Sequence, residues 1–531
     1  MSREWVVLAL AVAAALAALA AGQYALVVWL GRRPAADGLR DVAWSFAWLL
    51  PLWPLFLAVT WSDAVNHAFT YQPGIALWWG LLTFGFVGHQ ALLVPSVLDG
   101  GWRPWQALRQ ALGQARRASL DGPNAFPVLL ALFAVSRLTL GFAFDTSQRL
   151  DKGAGYDGFY ELATLTDQGV YPYLQRWSEY PPVFPWFATA IYRAVSFFGV
   201  TFPRFQVALM LALLLFACGN FLLVYKLAEA VGDRRRALLA AGAYGVLVMP
   251  AHAAMRGFED LPIFFFLLAV YWLVHNRPHA GALAAALGVL TKLVPVALAP
   301  AFLRYTEGWR ARSRVAAIGA GALAAVLVPL AIAGRAWFVA SFQNMFVRPP
   351  WETVWALLDG TFTQGWVNPY RLSPDTATQY DHAGRLPGWF WPLLWLALLA
   401  FYGYLIRTAR SPASARTRVA FVLVSLIALQ LTLKGWSPSF ILWDIPLLLV
   451  LAPTGRGFAV AVGLTTLELF RWAIYYALGA PLWWTVLTVS VRTCALAWLG
   501  WWALQIVRRS GGATTNSAPQ AAPLTRTRIG G

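Results

Sequence analysis

Asp157 stands among Gly153, Gly155 and Gly158, three residues before Tyr160, at the head of an amphipathic run from Phe159 to Asp167. Glycines there permit close backbone approach to a bound group. Residues three apart share a helix face, so a carboxylate and a phenol at this spacing point the same way. A carboxylate so placed can accept the proton of a hydroxyl nucleophile. Asp145 and Asp151 precede it and compete for that role. The same stretch carries Glu161, Asp167 and Glu179 against Arg149, Lys152 and Arg176. Two aromatic–proline turns follow, Gly169-Val-Tyr-Pro-Tyr173 and Glu179-Tyr-Pro-Pro182. Any one of these charges alone reads as a solvated loop residue. A polar, acidic, aromatic stretch of this length inside an apolar membrane chain points to a substrate.

The elements that must position these groups are apolar. The chain has 531 residues, 59% hydrophobic and only 12% charged, about half the charged share of an ordinary soluble domain. Apolar segments fall near 4–30, 43–61, 74–98, 125–144, 183–200, 205–230, 237–254, 261–274, 280–303, 315–333, 389–406, 419–434, 438–453, 457–478 and 482–507. Several are long enough to cross a hydrocarbon core of about 30 Å. The expected fold class is all-α, a polytopic transmembrane helical bundle of about 13–15 apolar segments with two long non-cytoplasmic loops carrying short helices. The runs are too long and too seldom alternating for a β-barrel.

The net charge of +18 does not indicate a nucleic-acid partner, because no basic domain stands apart from the membrane runs. Arginines cluster between apolar segments, at Arg32–Arg40, Arg103–Arg117, Arg234–Arg236, Arg304–Arg314, Arg407–Arg418 and Arg508–Arg509, as the positive-inside rule distributes them. Cys218 and Cys494 both lie in apolar runs and offer neither a disulfide framework nor a metal cluster. The N-terminal run exceeds the h-region of a cleaved signal and reads as a retained helix.

Charge asymmetry places 145–182 and 334–388 on the non-cytoplasmic face, reading inward from either end of the chain. The middle allows two arrangements. If 183–200 and 280–303 both span, Arg234–Arg236 lie outside and Glu259 and Asp260 inside. If both are re-entrant, the acids join the outer loops. The second is favoured, since Arg193 interrupts the first segment, and Lys292 and Pro295 break the second as in a pair of half-helices. Three parts are expected. Residues 1–124 form a three-helix extension with an amphipathic cytoplasmic stretch, Trp105 to Leu120. Residues 125–509 form the core, and 510–531 a disordered cytoplasmic tail. No internal repeat of the kind that builds many transporters is evident.

Beyond the acidic loop, the cations near the outer leaflet are Lys292, Lys434, Arg256 and Arg348. Snorkelling at a helix end accounts for Lys434 as well as phosphate binding does; Lys292 lies far from either end of its run. Glu468 and Arg471, three apart, are expected to pair, with Arg137 and Arg492 in similar structural roles. Loop 334–388 offers Trp351, Glu352, Trp355, Trp366, Asn368, Tyr370, Arg371, Asp375, Tyr380, Asp381 and His382, aromatics and polar groups suited to sugars, although an interfacial belt explains most tryptophans. A short surface helix near Leu357 and Leu358 is expected there.

The order Asp157-x-x-Tyr160-x-x-Ala163, Gly169-x-x-Pro172-Tyr173 and Tyr180-Pro-Pro182 resembles the first outer loop of integral-membrane glycosyltransferases of the GT-C fold. Gly257-Phe-Glu-Asp260, Lys292-Leu-Val-Pro295 and Ser437-Pro-Ser-Phe440 follow in the order of the mannosyltransferase-like branch, and the resemblance covers about 125–455. It implies transfer of a hexose, mannose by analogy, from a polyprenyl-phosphate sugar to an acceptor hydroxyl on a glycolipid, glycan or protein. The bilayer is a partner and the setting a bacterial plasma membrane with its active site outside. On this reading Asp157 is the base, with Asp151 and Asp145 as rivals. Lys292, Lys434 and Arg256 meet the donor phosphate. Tyr160, Tyr173, Glu179, Tyr180, Asp260 and Ser437 bind substrate. No metal-ligand set is assigned, and a divalent metal stays open. The alternative is a polytopic transporter, or a lipid-linked-glycan flippase or ligase.

Overall fold

The computed structural model describes residues 125–143, 156–247, 257–362, 370–380, 384–409, 413–478 and 482–509. The expectations for 1–124, for 510–531 and for Asp145, Asp151 and Arg256 lie outside the described residues. Among the described residues every regular element is helical. Extended pairing is confined to two isolated bridges, Pro172 with Arg176 and Trp351 with Gly435.

Among the described residues five helices are long and apolar enough to cross a membrane: α4 (Phe202–Val231), α9 (Trp309–Gly334), α12 (Phe390–Thr408), α13 (Ala415–Thr432) and α16 (Leu482–Arg509). The shortest, α13, spans about 27 Å at 1.5 Å per residue. The chain is a multi-pass membrane protein. Shorter helices fill in around these. They are α1 (Ala125–Ala143), α2 (Tyr156–Asp167), α3 (Val183–Ser196), α5 (Arg234–Val246), α6 (Asp260–Val274), α7 (Pro278–Val289), α8 (Ala299–Tyr305), α10 (Ala336–Val347), α11 (Val354–Asp359), α14 (Ile441–Leu451) and α15 (Gly455–Leu478). The helix expected near Leu357 is α11, started by the Thr353 side chain, which accepts from Ala356 N–H.

The core forms where α4 packs on α5, α6 and α14, α6 on α7, and α13 on α16. All eleven residues of α14 are buried. Phe221, Phe266, Trp443 and Phe421 are its large fillers. Burial on every side explains why α14, apart from Asp444, is apolar all round rather than amphipathic.

The segment read as 280–303 is broken, as Lys292 and Pro295 indicated. Helix α7 ends where Thr291 and Lys292 N–H both donate to Gly288 O, at 3.0 and 2.8 Å. Pro295 lacks an N–H and cannot extend an α-helix. The chain continues as a 3₁₀ turn, Val294–Leu298, into α8. A Cβ on Gly288 would sit 2.9 Å from Pro295 Cγ, so the break requires glycine at that contact.

Helix α3, 14 residues long, is too short to cross the core. Neither 183–200 nor 280–303 forms a single helix long enough to cross the core. The basic loops gather at one end of the bundle. Arg304 donates to Ala409 O at 2.6 and 2.8 Å, Arg418 donates to Leu273 O at 2.8 Å, and Arg416 lies beside Arg236. Arg234–Arg236 therefore share an end with Arg416 and Arg418, while the start of α6 and the break after α7 lie at its other side.

Candidate functional site

Three interruptions of helix meet at one place: the start of α6, the break after α7, and the loop 433–440 between α13 and α14. Glu259, 7% exposed, lies at the first. Lys292 at the second donates its ammonium to Glu259 Oε1. Ser439 at the third donates to the same oxygen at 2.8 Å and shares a 3.0 Å hydrogen bond with Ser437 Oγ. The ammonium lies 4.8 Å from the Phe440 ring centroid and 5.7 Å from that of Phe258. Glu259 Oε2 is buried without a hydrogen-bond partner. Unwound backbone in a membrane bundle is tolerated where protein encloses it or a cavity is lined, and here it brings an acid, an amine and two hydroxyls together.

Tyr180 connects this junction to the two long polar loops. Its ring stands edge-on to Phe258 at 5.1 Å and to Phe184 at 5.6 Å. Val183 N–H, just after the Tyr-Pro-Pro turn, donates to Leu290 O at 3.0 Å, fastening the turn to the break. Burial, with Glu179 and Glu259 adding to it, pushes the Tyr180 phenol upward, against the pull of Arg371 and Arg348. It stays protonated at neutral pH.

The two long polar loops are stitched together. Trp177, fully buried, donates from Nε1 to Thr376 Oγ1 at 2.9 Å, and its backbone N–H to Arg371 O at 3.2 Å. Ser178 N–H donates to Ser341 Oγ at 2.9 Å. Tyr173, held at φ +70°, donates its hydroxyl to Tyr180 O at 2.7 Å. A bulky residue at positive φ is costly and persists where surrounding contacts fix it. Glu179 pairs with Arg371 and, at 3.6 Å, with Arg348. Burial pushes Arg176 down to about 10, with the like charge of Arg371 adding to the shift and Glu161 opposing it.

Loop 347–353 is braced from beneath. Trp351 N–H donates to Lys434 O and Trp436 N–H to Trp351 O, both at 3.1 Å. A side chain on Gly435 would overlap the Trp351 ring. Glu352, at φ +54°, pairs with Arg471 at 2.6 Å, and Glu468 with Arg492 at 3.2 Å. Arg492 also donates to Glu352 O and lies 4.5 Å over the Trp436 ring, whose Nε1 donates to Glu468 at 3.2 Å. All four charged side chains are 1–2% exposed. This corrects the expected Glu468–Arg471 pair: both residues are ion-paired, Glu468 with Arg492 of the next helix and Arg471 with Glu352 of the loop. A carboxylate beneath Arg471 on the same helix loses to one whose loop presents it directly.

Asp157 is the second residue of α2, three before Tyr160. The N-terminal turn of a helix favours a carboxylate. The Tyr160 ring packs among Tyr192, Phe202 and Phe205 at 5.4–5.7 Å, a packing position rather than a place beside Tyr180. Asp260 accepts from Asn220 Nδ2 at 3.2 Å, and it is Glu259 that meets Lys292. Lys434 donates to Phe346 O at 2.6 Å and Arg348 O at 3.4 Å, closing the end of α10, and stacks on Trp391 at 4.6 Å. Burial pushes its ammonium downward. Arg137 donates to Gly245 O at 3.2 Å. Glu179, Tyr180, Lys292 and Ser437 are brought together from three separate segments. Glu259 lay unassigned within Gly257-Phe-Glu-Asp260; its signal was adjacency to a motif acid before an apolar helix. Among the described residues no three His, Cys, Asp or Glu side chains form a metal-binding group.

No protein-family model matches the chain, and no curated protein matches it. Among solved structures it is similar to the oligosaccharyltransferase of Archaeoglobus fulgidus in its apo form, at 13% identity and a TM-score of 0.35. The match covers 74% of this chain and 57% of that one, so the chain spans little more than half the length of that protein. A likeness at this level fixes neither fold nor activity.

Proposed function

We propose that the chain is an integral-membrane glycosyltransferase that moves a hexose, mannose by the motif resemblance, from a polyprenyl-phosphate donor to an acceptor hydroxyl on the non-cytoplasmic face. The observation that carries the reading is convergence. Tyr180, Glu259, Lys292 and Ser439 come from segments scattered along the chain, and each belongs to one of the motifs that drew the resemblance. In the reaction the acceptor oxygen attacks the anomeric carbon and its proton passes to Asp157. The bond from that carbon to the phosphate oxygen breaks, and the electron pair leaves with the polyprenyl phosphate. Lys292 meets that developing charge: an ammonium has three donors, and Glu259 takes one. Preorganised cations of this kind lower a barrier because they need no reorientation as charge develops.

Membranes containing the chain should transfer label from polyprenyl-phosphate mannose to an acceptor in a panel of glycolipids, glycans and peptides. Absence of transfer across the panel overturns the reading. Within an active preparation, Lys292→Met is expected to lower kcat/KM by about 10²–10³-fold, whereas Lys434→Met should cost less than about tenfold, since its amine closes a helix end. Equal losses would move the phosphate role to Lys434. A lipid-linked-glycan flippase is the second reading. The Lys292–Glu259 pair at a broken helix favours it, because transporters place coupling sites at such breaks; it requires translocation of a labelled lipid-linked glycan without sugar transfer.

A further inference from the structure

Two guanidinium groups pair with one inner carboxylate, and a third arginine, Arg176, directly precedes Trp177, whose N–H donates to Arg371 O. Arg371 and Arg348 both pair with Glu179, and Arg176 lies close enough to Arg371 to be repelled by it. The carboxylate acting on Arg176 is Glu161, an exposed residue of α2 whose charge water screens. Arg176 is 5% exposed, and its buried Nε–H has no hydrogen-bond partner. The positive excess is therefore fixed in place, with an unspent donor inside it.

The guanidiniums are also held in orientation. Arg348 lies 3.9 Å over the Trp351 ring and Arg371 5.0 Å over that of Trp177. Stacking fixes the plane of a guanidinium and leaves its edges, which carry the N–H groups, directed at an anion. The Arg371 and Glu179 side chains are 24% and 23% exposed, so the group is open on one side. Two guanidiniums on one inner carboxylate, a third beside them, fixed guanidinium planes and an open side suit the binding of a tetrahedral oxyanion.

We propose that Arg176, Arg348 and Arg371 form a binding site for a phosphate monoester or diester group, in which the Glu179 carboxylate serves as an internal stand-in that the phosphate displaces. The shared chemistry is a phosphate beside apolar chain; it can belong to a polyprenyl phosphate or to a phosphate-bearing headgroup on a second substrate. The site is separate from the Lys292–Glu259 pair, and it stands on charge geometry without requiring the transfer reaction.

The test uses the full chain, purified in an uncharged detergent at constant ionic strength. Thermal shift is read against inorganic phosphate, farnesyl phosphate and farnesol. Both phosphates should raise the melting temperature and farnesol should not. Arg176→Gln and Arg371→Gln should each weaken the apparent phosphate affinity at least about tenfold. Glu179→Gln should strengthen it by about three- to tenfold, because a competing anion is removed. Each variant is checked for native circular dichroism and monodispersity. Arg371→Lys, which keeps charge but loses the bidentate edge, serves if Arg371→Gln does not fold, and should also weaken binding. Competition between inorganic and farnesyl phosphate assigns the site to the polyprenyl lipid; independent binding assigns it to a second phosphate. Unchanged affinity in the folded arginine variants, or weaker binding in Glu179→Gln, overturns the proposal. Because the readout is binding, its failure is distinguishable from absence of sugar transfer.

Discussion

Asp157→Asn is expected to lower hexose transfer by about 10²–10⁴-fold with little change in KM, the loss typical of removing a general base. Asparagine keeps the shape and the hydrogen-bonding reach of aspartate but cannot take the acceptor proton. The position is in the first turn of α2, where asparagine and aspartate are both tolerated, so the helix should survive the change. Asp145→Asn and Asp151→Asn serve as comparisons and should retain activity close to wild type. Radiolabelled transfer in membranes, normalised to protein level, checks all three. Wild-type rates in Asp157→Asn, with loss in either of the others, would move the base to that residue.

The largest stability effect belongs to the buried quartet. Removing one partner of a fully buried pair leaves an uncompensated charge, at a cost of about 3–5 kcal/mol. Arg471→Ala strips the ion-pair partner from Glu352, which is 2% exposed and held at φ +54°. Its effect should spread to the Trp351–Gly435 bridge, because Glu352 directly follows Trp351 in that loop. Thermal unfolding of the purified protein should show a large fall in midpoint. Arg193→Ala, which breaks the exposed pair with Asp167, should change the midpoint little, since solvent screens that pair. The double replacement Glu352→Leu with Arg471→Met should recover much of the loss, because no lone charge remains. Equal midpoints for Arg471→Ala and Arg193→Ala would remove the quartet as a brace.

Which parts were readable follows from the range of the forces involved. Apolar runs mark helices because lipid accepts only backbone that satisfies its own hydrogen bonds, and α4, α9, α12, α13 and α16 fall on such runs. The break near Lys292 was readable because Pro295 acts within a few residues of its own position. The pairing of Glu468 was not. On sequence spacing alone Arg471 is its natural partner, yet Arg492 and Glu352 intervene from other elements. Glu259 and Asp260 differ by about 100° around a helix axis. Which of them faces Lys292 is set by how α6 is rotated against α4 and α7. Asn220 of α4 claims Asp260, and that leaves Glu259 for the break.

The sequence alone determined that this is an all-helical membrane chain, where its helices break, and that its acids and aromatics concentrate in two loops. Those features depend on hydrogen bonding and hydrophobicity within a few residues. Tertiary structure alone decided that the loops are stitched together, that Arg348 and Arg371 both pair with Glu179, and that Glu259, Lys292 and Ser439 meet. Ionic contacts between distant segments depend on helix rotation and loop path, which the packing of the whole bundle sets.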